Sequence, residues 1–74
     1  DRFVRNVLIA IGNSGDPALA TSAKALLADA SPLVRGAAIW ALRRLTTEQD
    51  MAALRDTHAP VETDPVVADE WRAA

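Results

Sequence analysis

The sequence predicts an all-α fold, a fragment of a helical-repeat solenoid with about five helices. An apolar stripe of helical spacing occurs twice, each copy is followed by a second helix-length segment, and no run alternates apolar with polar residues as a strand does. The first stripe recurs 31 residues later, with Phe3, Val7, Ala10, Ile11 and Ser14 matched by Val34, Ala38, Ala41, Leu42 and Leu45. A period of this length is typical of stacked helical hairpins, which bury their apolar faces only against a neighbour.

The first two helices are predicted from apolar spacing and from the turn between them. The first should run over residues 2–12 and stop at residues 12–15, where Gly and Asn tolerate the left-handed conformation that closes a helix. Asp16 and Pro17 form an N-cap followed by Pro at the first helical position, which opens a second helix to about residue 28. The expected inward residues are Phe3, Val7, Ala10 and Ile11, then Leu19, Ala23, Leu26 and Leu27.

The other three helices carry similar signals. Ser31-Pro32 opens a helix over residues 32–45, and Asp64-Pro65 opens one over residues 65–73, whose Trp71 should cover the exposed end of the stack. A short fourth helix over residues 48–57 follows a capping box, in either of two registers: Thr46 with Gln49, or Thr47 with Asp50. The expected inward residues are Val34, Ala38, Ala41, Leu42 and Leu45, then Met51 and Leu54, then Val67 and Trp71. We expect one domain over residues 1–74, with repeats at about 2–29 and 31–57 and a partial third at 64–74.

Composition limits both the size of the core and the possible chemistry. Of the 74 residues, 16 are Ala and three are aromatic, so the apolar area that the helices bury is small and we expect a piece of a larger protein. The sequence has no Cys and one His, which excludes a disulfide, a thiolate metal site or an iron–sulfur ligand within it. No membrane span or signal peptide is indicated, and a cytoplasmic module is expected.

Charge is divided unevenly along the chain. Residues 1–45 hold six Lys and Arg against three acids, a net charge of +3, and residues 46–74 hold two Arg against seven acids, a net charge of −5. A basic half of this kind indicates an acidic partner, with nucleic acid among the candidates.

Two sets of residues carry a resemblance to known families. The third helix resembles the first helix of a HEAT-type repeat, through Asp29, Pro32, Val34-Arg35, Ala38, Ala41-Leu42 and Leu45. Residues 5–16 (RNVLIAIGNSGD), 31–35 (SPLVR), 40–42 (WAL), 62–65 (ETDP) and 70–71 (EW) together resemble the C-terminal HEAT-like region of epoxyqueuosine reductases, over nearly the whole chain.

The second resemblance implies a cytoplasmic parent enzyme that reduces a modified tRNA nucleoside with cobalamin and iron–sulfur clusters. Those groups belong to upstream domains, and because this chain has no Cys, no catalytic, cofactor-binding or metal-binding residue is carried onto it. The resemblance implies a non-catalytic module that packs on the upstream catalytic domain of the same chain and contacts tRNA.

Five residues are candidates for RNA contact: Arg43, Arg44, Arg35, Arg5 and Trp40. On a helical wheel, Trp40, Arg43 and Arg44 fall on the side of the third helix away from the apolar stripe. Arginines beside a flat ring suit RNA, because guanidinium groups pair with phosphate and rings stack on bases. The structural alternative is that Trp40 covers the neighbouring repeat while the arginines are solvated or paired with acids. Arg5 and Arg35 would then tie a repeat to an acid of its neighbour, such as Asp16 or Asp29.

These features indicate three possible functions. An RNA-contacting appendage of a tRNA-modifying reductase would bind tRNA with steep salt dependence through its arginines. A protein-interaction scaffold would bind another protein through the surfaces of Leu8, Ile9 and Trp40. An enzyme in its own right would need a pocket of convergent titratable groups, and the sequence offers none. The resemblance places RNA contact first; without it the scaffold would come first.

Overall fold

A computed structural model describes residues 2–73, which form five α-helices and no strand. The helices are α1 (Arg2–Ser14), α2 (Ala20–Ala25), α3 (Pro32–Leu45), α4 (Glu48–His58) and α5 (Pro65–Ala73). Short 3₁₀ segments lie at Pro17–Leu19, Leu26–Ala28 and Ala59–Val61. α3 is central: α1 and α5 pack on it, and α2 packs on α3 more than on α1. The predicted all-α class is confirmed.

Local side-chain chemistry sets where the helical segments begin. Asp16, Ser31 and Asp64 each accept a hydrogen bond from a backbone N–H group two or three residues further on, and a Pro follows each of them. Thr47 accepts from the backbone of Asp50, so the second of the two proposed registers starts α4. Thr46 instead donates its hydroxyl hydrogen to the carbonyl of Leu42 at the end of α3.

The core is formed mainly by α3 and the helices around it. The buried apolar residues are Leu8, Ala20, Ala23, Leu27, Val34, Ala38, Ile39, Ala41, Leu42, Met51, Val67 and Trp71. The inward faces predicted for α3 and α5 are confirmed at Val34, Ala38, Val67 and Trp71, and Met51 is buried as expected in α4. Leu26, Leu45 and Leu54 are half-buried and pack against this core.

The face predicted for α1 is wrong by about one residue. Phe3 is 75% exposed, and Val7 and Ala10 are also exposed, whereas Leu8 and Gly12 are buried and Ile11 is half-buried. The equivalent positions of α3 are buried because α2 lies against α3. Among the described residues no helix lies against α1 in the same way, so α1 turns Leu8 and Gly12 toward α3 instead. Leu8 is therefore unavailable as the contact surface proposed for a scaffold.

The second helix is shorter than predicted and is flanked by 3₁₀ turns. Residues 17–28 were expected to form one helix, but only Ala20–Ala25 is α-helical and 3₁₀ turns flank it on both sides. A segment of this length is marginal as an isolated helix, and 3₁₀ turns are common where a short helix ends. Ala23 and Leu27 still reach the core, as predicted.

Two helical glycines give opposite predictions for the same substitution. A Cβ atom on Gly12 would lie 2.5 Å from Cζ3 of Trp40 and 3.2 Å from Cα of Ala41, whereas one on Gly36 would meet nothing within 4 Å. Gly12→Ala should therefore lower the free energy of unfolding by about 1–3 kcal/mol through overpacking. Gly36→Ala should raise it by about 0.5–1 kcal/mol, because alanine favours the helix.

Urea unfolding followed by far-UV circular dichroism measures both changes, and each variant is the control for the other. Changes of the same sign in the two variants would contradict the close approach of α1 to α3 at Gly12.

Candidate interaction groove

An open groove lies between α1, α3 and α5. Its volume is about 480 Å³. It is lined by Arg5 and Ile9 of α1, by Pro32, Leu33, Gly36, Ala37 and Trp40 of α3, and by Asp64, Val66, Val67 and Glu70 at α5. α3 forms the floor, and the other two helices form the walls. We refer to this set of residues as the groove.

The floor of the groove follows from the spacing of residues along α3. Leu33, Gly36, Ala37 and Trp40 occupy positions i, i+3, i+4 and i+7 of the helix, so they share one face. Because Gly36 has no side chain and Ala37 has a small one, a notch remains between Leu33 and Trp40, with open space above Gly36. Leu33 is 50% exposed, and Val66 on the α5 wall is 70% exposed. The groove thus presents uncovered apolar side chains.

Trp40 joins α1 to α3 and also reaches the groove. Its half-buried ring is close to Gly12 of α1, and the guanidinium carbon of Arg44 lies 5.2 Å from the centroid of the ring. Arg44 also donates from Nε to the carbonyl of Gly12 at 3.1 Å, near the end of α1 where carbonyl groups attract cations. The contact with α1 is the one expected if Trp40 covers a neighbouring helix.

Arg35 is held by a salt bridge to Glu62. Its Nε and Nη2 donate to the two carboxylate oxygens of Glu62 at 2.9 and 2.8 Å, and its Nη1 donates to the carbonyls of Asp29 and Ala30. These hydrogen bonds hold the pKa of Glu62 below its usual range and raise the pKa of Arg35, against the opposing effect of burial. The expected structural tie of Arg35 is present, but its acid is Glu62 and not Asp16 or Asp29.

A second ion pair joins the same parts of the chain. Arg43, two helical turns after Arg35, pairs with Glu70 of α5. Both pairs connect the basic half of the sequence to its acidic half. The uneven charge along the chain is therefore satisfied in part within the molecule, and no acidic partner is needed to explain these two arginines.

Arg5 differs from these residues because it is exposed and makes no ion pair with residues 2–73. The structural tie expected for it to Asp16 or Asp29 is wrong. Asp16 caps the segment that follows it, and the carboxylate of Asp29 accepts from the backbone of Ser31. The structure instead places Arg5 on the α1 wall of the groove, beside the floor that Trp40 helps to form.

The sequence reasoning missed the apolar groove residues Leu33, Ala37 and Val66. A signal was present in α3, whose residues 33, 37 and 40 form a second apolar stripe beside the one that faces the core. Val66 lies two residues after the cap Asp64, and no periodic signal marked it.

Within residues 2–73 no three acids or histidines are grouped in a way that could hold a metal ion. None of the described helices is long and apolar enough to cross a membrane.

Comparison with known proteins identifies one family. The family model for HEAT repeats matches residues 2–74, which is almost the whole chain. Neither curated proteins nor solved structures gave a match.

Proposed function

The chain belongs to the HEAT repeat family, and we propose that it is a protein-interaction module that binds a segment of a partner protein in the groove between α1, α3 and α5. The observation that supports this most is the uncovered apolar surface formed by Leu33, Val66 and the notch above Gly36. Exposed apolar patches with a polar rim are typical of protein contact sites. A groove of about 480 Å³ is large enough for a few side chains of a partner.

The state of the arginines favours a protein partner over RNA. Arg35 and Arg43 are neutralised by acids of the same chain, and part of the Trp40 ring is covered by α1. RNA binding depends on several cations that neutralise phosphates together, and the residues that line the groove include one cation, Arg5.

A second proposal follows from the resemblance to epoxyqueuosine reductases. In this proposal the chain packs on the catalytic part of such an enzyme, which holds the cobalamin and the iron–sulfur clusters, and contacts tRNA through Arg5, Arg44 and Trp40. The observation that favours it is that Arg44 is exposed over the ring of Trp40, which shares the groove with Arg5.

Peptide display on the immobilised chain tests the first proposal. Selected peptides should bind the wild-type chain and should lose binding to Gly36→Leu, whose side chain fills the notch between Leu33 and Trp40. Leucine is a better helix former than glycine, so this variant should stay folded, which circular dichroism checks. The control is Ala53→Leu at an exposed position of α4, and it should bind as the wild type does.

Two results decide between the proposals. Enrichment of no peptide, or of peptides indifferent to Gly36→Leu, would reject the groove as a protein contact site. Binding of tRNA that weakens steeply with salt and is lost in the double variant Arg5→Gln with Arg44→Gln would support the second proposal.

A further inference from the structure

We propose that the groove recognises a protein segment carrying one large apolar side chain and a nearby carboxylate, with the apolar side chain over Gly36 and the carboxylate on Arg5. This inference rests on the function proposed above and adds the chemistry of the partner.

The notch determines the apolar part of the partner. It lies between Leu33 and Trp40, which are two turns apart on α3, or about 10 Å at the usual helical rise. Ile9 and Val66 stand on either side of this floor. Since a Cβ atom on Gly36 would meet nothing within 4 Å, there is room at that point for a side chain from outside. A leucine or an aromatic residue would bury its own surface together with the exposed surface of Leu33.

The charges on the two walls determine the polar part of the partner. On the α5 wall, Glu70 is paired with Arg43, and the carboxylate of Asp64 accepts from the backbone N–H groups of Val66 and Val67. On the α1 wall, Arg5 is exposed and pairs with no acid of residues 2–73. Arg5 is therefore the charged group of the groove that is left for a partner, and a partner carboxylate can form a charge-assisted hydrogen bond with it.

The test uses the whole 74-residue chain and three synthetic peptides that differ at one residue type. The first is acetyl-Gly-Leu-Glu-Leu-Glu-Gly-amide, and the other two carry glutamine or lysine in place of glutamate. Binding is followed by NMR through the indole N–H signals of the two tryptophans. Trp40 lies in the groove, whereas Trp71 is buried against His58 and is the internal control.

The glutamate peptide should shift the signal of Trp40 and leave that of Trp71 in place. It should bind about five-fold more tightly than the glutamine peptide, because Arg5 forms a stronger hydrogen bond with a charged acceptor than with a neutral one. The lysine peptide should bind most weakly. Arg5→Gln should remove the preference for glutamate, whereas Arg2→Gln, at another exposed position of α1, should keep it.

Two outcomes would overturn the inference and separate it from the proposed function. Equal binding of the three peptides, or an unchanged preference in Arg5→Gln, rejects the role of Arg5 even if displayed peptides still depend on Gly36. No shift of Trp40 with any of the three peptides rejects the inference as a whole. If peptide display also enriches no peptide, the proposed function is rejected as well.

Discussion

Trp71→Ala is expected to lower the free energy of unfolding by about 3–5 kcal/mol, the largest effect of any substitution considered for this chain. The side chain of Trp71 is 2% exposed and is the largest of the fully buried residues. It stacks on His58 with the ring centroids 5.9 Å apart and an angle of 5° between the planes. The carbonyl of Trp71 also accepts from Nε of Arg55 at 3.0 Å, so α4 and α5 meet at this residue.

The effect should be large relative to the total stability of the chain. A domain of this size has about 4–11 kcal/mol of stability at the usual values per residue, so the alanine variant should be close to its unfolding transition. Urea unfolding measures the loss, with Trp40 as the remaining fluorophore. Trp71→Phe keeps a ring against His58 and should lose less than half as much. A loss below about 1 kcal/mol in the alanine variant would show that this ring is not part of the core.

Glu62→Gln is expected to lower the free energy of unfolding by about 2–3 kcal/mol, because it leaves the largely buried guanidinium of Arg35 without its charged partner. The side chains of Arg35 and Glu62 are 16% and 6% exposed. Asp69 and Arg72 form a solvent-exposed ion pair, in which the two side chains are 73% and 71% exposed. Asp69→Asn makes the same chemical change in that pair. Solvent screens that pair, so its loss should leave the unfolding curve unchanged. Equal effects of the two variants would contradict the buried position of Glu62.

The contribution of Glu62 should also depend on pH. Arg35 lowers the pKa of Glu62 in the folded chain, so the carboxylate contributes its full stabilisation above the pKa of the unfolded state, about 4.5. This stability is lost as the pH falls through the lower pKa of the folded state. The difference between the wild type and Glu62→Gln should therefore be greatest at neutral pH and shrink below about pH 4. A difference that stays constant over this range would mean that Glu62 is not ionised against Arg35.

The features predicted correctly from sequence depend on interactions between residues that are close together in the chain. Asp16, Ser31 and Asp64 act as predicted because a cap and the proline after it depend only on the next turn of the chain. The face of α1 was mispredicted because its stripe is as apolar as that of α3. Which stripe becomes buried depends on where α2 lies, and α2 packs mainly on α3.

The candidate site was less predictable because its parts are distant in sequence. The acids that pair with Arg35 and Arg43 are each 27 residues away, so the sequence showed two halves of opposite charge but not that they meet. The side of α3 that carries Gly36 and Trp40 could be read from a helical wheel. The walls at Arg5 and Val66 could not, because they exist only once α1 and α5 pack on either side of α3.

The two flanks of α3 differ in kind. On the α1 side, the backbones of α1 and α3 approach closely at Gly12, and the van der Waals contacts there do not depend on pH. On the α5 side, two arginine–glutamate pairs add an electrostatic attraction to the buried apolar contacts of Val67 and Trp71. Acid that protonates Glu62, below about pH 4, removes part of the attraction on this side alone. The α5 wall of the groove should therefore respond to acid before the α1 wall does.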